Sequence, residues 1–189
     1  MGDRFQTIID TQASLEEAPH LAQHVVLFLA GKGVVAPGLS EEGGYPRGPN
    51  ALAISERPPH PENRPVVHEP IPPVYFHLQV VVGRMTHSKD LNEFCPARAA
   101  CPKCGKGLED LDSDWTPAAQ AWLAGDPEAA LECPSCGAGT FVSSWVYDSG
   151  YGFGNLAFRF WNWPPFTRAF LEEVQRELGH PIALVEGKF

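Results

Sequence analysis

The stretches Cys101-Pro102-Lys103-Cys104-Gly105 and Cys133-Pro134-Ser135-Cys136-Gly137 decide how this chain is organised. Each holds two thiols one tight turn apart, and the pairs together supply the four soft ligands of a closed tetrahedral zinc site. The glycine after each second cysteine permits the left-handed backbone that such a turn needs. Two disulfides would require an oxidising compartment, which nothing in the sequence suggests. Four protein ligands leave no open coordination position. The expected cofactor is therefore one structural Zn²⁺ on Cys101, Cys104, Cys133 and Cys136, with no catalytic role.

Outward from the knuckles, the chain reads as one module inserted into another. The knuckle module is expected over residues 95–140, with a helix from Thr116 to Ala124 in the long gap between the pairs; Pro117 would sit at its first turn and Gly125 at its end. C-terminal to it, Thr140 to Tyr147 reads as a strand, Gly150 to Gly154 as a turn, and Asn155 to Trp161 as a second strand. Phe166, Phe170, Val174 and Leu178 recur every fourth residue and predict a helix from Phe166 to Leu178, stopped by Gly179 and Pro181. A closing strand follows at Ile182 to Val185.

N-terminal to the knuckles, Arg4 to Ile9 reads as a strand, and Ser14-Leu15-Glu16-Glu17 has the form of a capping box. The helix after it carries Leu21, Val25, Phe28 and Leu29 on one face, begins near Pro19 and stops at Gly31. Residues 36–73 are rich in Pro and Gly and read as a long loop with one ordered piece at Asn50 to Ile54. Val74 to Thr86 is the strongest strand, with Phe76, Leu78, Val80 and Val82 on one face and Tyr75, His77, Gln79 and Val81 on the other. Both ends of the chain thus read strand, helix, strand. The expected fold class is α+β: a two-layer domain from residues 1–94 and 141–189, with a mixed sheet and two main helices, carrying the inserted knuckle module.

The chain has 189 residues and a net charge of −9, placed unevenly. From Gly107 to Phe158 there is no Lys or Arg, but there are eight acids: Glu109, Asp110, Asp112, Asp114, Asp126, Glu128, Glu132 and Asp148. Four thiolates on one Zn²⁺ add a further net −2. A phosphate backbone would be repelled by this surface, so nucleic acid is a disfavoured partner. Only Arg98, Lys103 and Lys106 stand near the first knuckle. The N-terminus lacks a basic region followed by an apolar core, and Val25 to Ala30, the longest apolar run, is too short to span a bilayer. With four of five cysteines committed to metal, a reduced cytoplasmic location is expected; Cys95 reads as a small buried hydrophobe.

The paired knuckles resemble those of the zinc-ribbon superfamily over about 40 residues, and that resemblance carries the ligand role to the same four cysteines. It implies no reaction, because such ribbons serve many functions. The segment Phe153-Gly154-Asn155-Leu156 through Phe160-Trp161-Asn162-Trp163-Pro164-Pro165, with its helix and the closing Gly187-Lys188-Phe189, is similar to the ending of bacterial proteins that carry such a ribbon.

Other candidate chemistry is thin. His20 and His24 lack the glutamate of a His-Glu-x-x-His site and read as an exposed helix face. Gly43 to Gly48 lacks the Gly-Lys-Ser/Thr ending of a phosphate loop, and Asp110, Asp112 and Asp114 lack the glycine and distal glutamate of a calcium loop. The aromatic run Phe158, Phe160, Trp161, Trp163, Phe166 reads first as core; alternation places Trp161 and Trp163 opposite Phe158 and Phe160. The resulting expectation is a non-enzymatic zinc protein that binds a protein partner, with an immunity-type inhibitor of a basic nuclease as one specific form. The alternatives are an enzyme using His77, His87 and Asp148 between the modules, and nucleic-acid binding through Arg47, Arg57, Arg64 and the ribbon tip.

Overall fold

In the computed structural model the described residues are 3–41, 43–56, 76–90, 95–96, 98–108, 112–126, 128–148 and 150–188. Along the chain run β1 (Arg4–Asp10), α1 (Ala18–Gly31), β2 (Tyr45–Pro46), β3 (His77–Ser88), β4 (Ala99–Ala100), β5 (Gly107–Leu108), α2 (Asp112–Leu123), β6 (Ala130–Glu132), β7 (Gly139–Phe141), β8 (Val146–Tyr147), β9 (Tyr151–Trp161), α3 (Arg168–Leu178) and β10 (Ile182–Lys188). The main sheet has five strands in the order β10-β1-β9-β3-β2. All its pairings are antiparallel, which corrects the expected mixed sheet. The reason is interlocking. The strands β1 and β3 flanking α1 run the same way, but β9 lies between them; β9 and β10 flank α3, and β1 lies between those. This is the interleaved split β-α-β topology of ferredoxin-like sandwiches, with the segment that carries the two knuckles, hereafter the ribbon, lying between β3 and β9.

Both helices pack on one face. From α1 come Ala18, Ala22, Val25 and Leu29, and from α3 come Phe170, Val174 and Leu178; beneath them lie Ile8, Leu78, Leu156, Phe158 and Phe160. Local chemistry sets the helix ends. The Ser14 hydroxyl accepts from the Glu17 N–H at 3.1 Å while the Ser14 N–H and hydroxyl donate to the Glu17 carboxylate, so the capping box forms just ahead of α1. Thr167 caps α3 by accepting from the Phe170 N–H, and Gly179 closes it at φ 72° in the left-handed region. Across the top, His24 meets Glu177 at 2.8 Å and Lys32 meets Glu173.

The second face is closed by the sheet itself. Gly83 at φ 123° marks a bulge in β3, where the register against β9 shifts between Val82 and Met85. Beyond it the hairpin curls over the helix-free face. A Cβ at Gly152 or Gly154 would come within 2.7 or 2.5 Å of the Ile9 side chain, and one at Gly187 within 2.2 Å of both the Phe5 ring and the Lys89 carbonyl. Phe5, Ile9, Ala157 and Val185 form a small second core there. Gly150 to Gly154, expected as a turn, is therefore largely strand, because its glycines let β9 approach β1 closely.

Three other expectations are corrected. Trp163 lies in the core with Phe158 and Phe160, not opposite them, because Asn162 takes φ 63° and breaks the strand alternation. The Asn162 side chain accepts from the Arg4 N–H at 3.0 Å and so holds that bend. The helix α2 starts a turn early and leaves Pro117 inside it, since Trp115, Ala118, Ala119 and Trp122 at helical spacing all bury their side chains. Thr140 to Tyr147 is not one strand, because a 3₁₀ turn at Val142–Ser144 drops Val142 into the ribbon core. The 36–73 stretch contains β2 and a 3₁₀ turn at Ala51–Ile54 within its described part. Tyr75, Arg57, Arg64, Glu109 and Asp110 lie outside the described residues.

Candidate metal centre

Each knuckle is a strand end followed by a turn. Cys101 directly follows β4 and Cys133 directly follows β6. In the first knuckle the Gly105 N–H donates to the Cys101 carbonyl at 2.9 Å and the Cys101 N–H to the Lys106 carbonyl at 3.0 Å. The second repeats this pattern: Gly137 donates to Cys133 at 2.7 Å and Cys133 to Ala138 at 3.0 Å. Gly105 and Gly137 stand at φ 71° and 68°, the left-handed backbone for which the two glycines were singled out.

The two turns bring all four Sγ atoms within 4.8 Å of one another. Cys101 Sγ is 3.9 Å from Cys136 Sγ, and Cys104 Sγ is 3.8 Å from Cys133 Sγ. Sulfurs about 2.3 Å from a shared ion at the corners of a tetrahedron stand about 3.8 Å apart, whereas a disulfide needs about 2.05 Å. None of the four knuckle cysteines forms a disulfide, and the spacing fits a metal ion. The first cysteine of each pair is buried and the second exposed, so the site is half set into the ribbon and half at its surface.

The thiols are electrostatically uneven without a cation. Burial disfavours the Cys133 thiolate, but N–H donors from Ser135 and Cys136 and the neighbouring thiols outweigh it and bring the pKa down to about 7. The Ala138 N–H favours the Cys136 thiolate, yet burial and the crowding of Cys104, Cys133 and Cys101 push that thiol up to about 12. A divalent cation removes the conflict, since it lets all four ionise together.

An aromatic core supports this centre. Trp115 of α2 is fully buried and meets Tyr147, Tyr151 and Phe153 edge-on, at 6.4, 5.5 and 6.1 Å. Its indole N–H donates to the Tyr147 hydroxyl at 3.1 Å, which in turn donates to the Val142 carbonyl at 2.5 Å. Burial raises the Tyr147 phenol, so it stays protonated and can donate. Tyr151 and Phe153 belong to β9, so one strand serves both the ribbon core and the main sheet.

Arg84, which the sequence reading passed over, joins the modules a second time. From the β3 bulge its guanidinium donates to the Trp122 carbonyl at 2.8 Å and lies 5.2 Å over the Trp122 ring, capping the last turn of α2. Cys95 is half-buried against the ribbon core.

The other sequence candidates do not assemble into a catalytic group. His87 meets Arg159, not Asp148, while His77 stacks on Trp161 at 6.0 Å. His20 and His24 are exposed on α1, as expected. Arg47 lies 5.2 Å over the Phe76 ring. Arg98, Lys103 and Lys106 are exposed, but Asp114, Asp126, Glu128 and Glu132 are exposed on the same ribbon. Among the described residues no helix is long and apolar enough to cross a membrane.

No family model matches the chain, and no curated protein or solved structure matches it either. The metal centre therefore stands on its own geometry.

Proposed function

We propose that the chain is a zinc-stapled, non-enzymatic binding protein that engages a basic protein partner through the ribbon. Zinc is the ion that suits four thiolates in a closed tetrahedral set, and such a site is structural. The observation that carries the partner reading is the ribbon's exposed surface. Asp114, Asp126, Glu128 and Glu132 are exposed on it, and among the described residues none of them is ion-paired. Phe141 is 51% exposed, opposite Ala130 in the β6–β7 pair and in one groove with Glu128 and Lys103, and Val146 on β8 is 62% exposed, so the module also offers apolar contact area. Such a surface steers and holds a cationic partner and repels nucleic acid. Inhibition of a toxic nuclease by covering its basic face is the specific form that this surface suits.

The test is capture by the tagged, metal-loaded protein from its own host at low salt, followed by titration of the purified partner. A basic protein bound in stoichiometric amount is expected, with affinity falling steeply as salt rises. Changing Asp126, Glu128 and Glu132 together to Asn or Gln should weaken binding and flatten its salt dependence. Recovery of the protein alone at both low and moderate salt would sink the reading.

A further inference from the structure

Arg159 occupies the small core on the helix-free face of the sheet and is 9% exposed. Its guanidinium lies 5.1 Å over the Phe5 ring and 5.9 Å from that of Trp161. Its Nε donates to the Thr7 hydroxyl at 3.2 Å, and one terminal nitrogen stands 3.4 Å from His87 Nδ1. Among the described residues no carboxylate pairs with it. A buried guanidinium without a counter-charge is costly unless something anionic joins it.

The histidine sharpens this requirement. Arginine has no acceptor, so at this contact the guanidinium donates and Nδ1 accepts. The remaining imidazole proton is then on Nε2. His87 is 1% exposed, and its Nε2 is buried with no hydrogen-bond partner among the described residues. Burial, helped by the Arg159 charge, lowers its pKa to about 3, so the ring stays neutral in this tautomer. The cluster therefore holds the unpartnered Nε2–H and guanidinium N–H groups beyond those given to Thr7 and His87, while its acceptors, Thr7 Oγ1 and His87 Nδ1, are already taken by Arg159. An oxyanion supplies both the missing acceptor and the missing charge. Towards the β3 edge the surroundings open: Gln79, the cross-strand neighbour of Arg159, is exposed, and Trp161 and His77 beside it are half-buried and stacked.

We propose that Arg159 and His87 form a receptor for an oxyanion, the carboxylate or phosphate group of a small ligand that enters from the β3 edge beside Gln79 and Trp161. This site is separate from the ribbon surface and from the metal, and it stands whether or not a protein partner exists.

The experiment uses the full metal-loaded chain at fixed ionic strength, titrated with inorganic phosphate, acetate or chloride. It follows the melting temperature and the imidazole nitrogen resonances of His87. A saturable rise in melting temperature and a shift of the Nε2 signal with phosphate would assign a phosphoryl ligand, and the same response with acetate a carboxylate one. Arg159→Gln should abolish the response; if that variant does not fold, the His87 signal of the unaltered protein decides alone. The proposal is overturned if neither oxyanion moves the Nε2 signal or the melting temperature beyond the effect of chloride, which is the result expected if a water satisfies His87. An equal response in folded Arg159→Gln overturns it as well.

Discussion

The sandwich buries Leu156, Phe158 and Phe160 under two helices along four strands seven to twelve residues long, whereas the ribbon's strands are two or three residues long and gather around Trp115 and four sulfurs. The first region draws its stability from apolar area removed from water. The second has too little sheet for that, and its four clustered sulfurs are placed for a metal ion to tie it together. Amino-acid pattern alone separates the two: periodicity marks the sandwich, and thiol spacing marks the ribbon.

The largest test of this contrast is removal of a ligand. Cys136→Ser should release the metal, measured by elemental analysis, and remove hydrogen-exchange protection from β6 and β7, because structural zinc contributes on the order of 10 kcal/mol to such modules. Full metal retention would refute the ligand assignment. The converse change, Phe158→Ala, should cost about 3–5 kcal/mol in denaturant unfolding and leave the metal content unchanged. Metal lost together with Phe158 would mean that the two regions are not held by different forces.

Acidity distinguishes the helix-free face from both. The pKa of His87 is lowered on folding, so between its ordinary value of about 6.5 and about 3 the unfolded chain binds the extra proton. Stability contributed by the neutral ring is thus complete above pH 6.5 and declines as pH falls towards 3, with a slope approaching about 1.4 kcal/mol per pH unit. Denaturant unfolding at pH 6 and pH 5 should show that slope reduced in a His87→Gln variant; an unchanged slope would contradict the burial. The smallest expected effect is Thr167→Ala, which removes the α3 cap for about 1 kcal/mol and should leave the ribbon untouched.

What could be read from the sequence was what is local. The two cysteine turns, the capping box at Ser14 and Glu17, and the stop of α3 at Gly179 are each fixed by residues within a turn of one another. What escaped was set by distant parts of the chain. That β9 lies between β1 and β3 depends on pairings across 63 to 156 residues, so an antiparallel sheet was read as mixed. The side on which Trp163 falls depends on one left-handed residue, Asn162, and no pattern of apolar spacing announces it. Arg159 was visible as a charge between Phe158 and Phe160, but its meaning needed His87, which the curl of the hairpin brings back to it.

The strand β9 places Tyr151 and Phe153 against Trp115 and, a few residues on, Leu156, Phe158 and Phe160 under the helices. In folding terms the ribbon is not a detachable cassette. A fragment cut at residue 140 would keep all four sulfurs and lose the aromatic wall behind them, so it could take up metal without acquiring a fixed interior. Fraying at the metal would in turn loosen the first residues of the sandwich's central strand, and the two regions would share one fate at their junction.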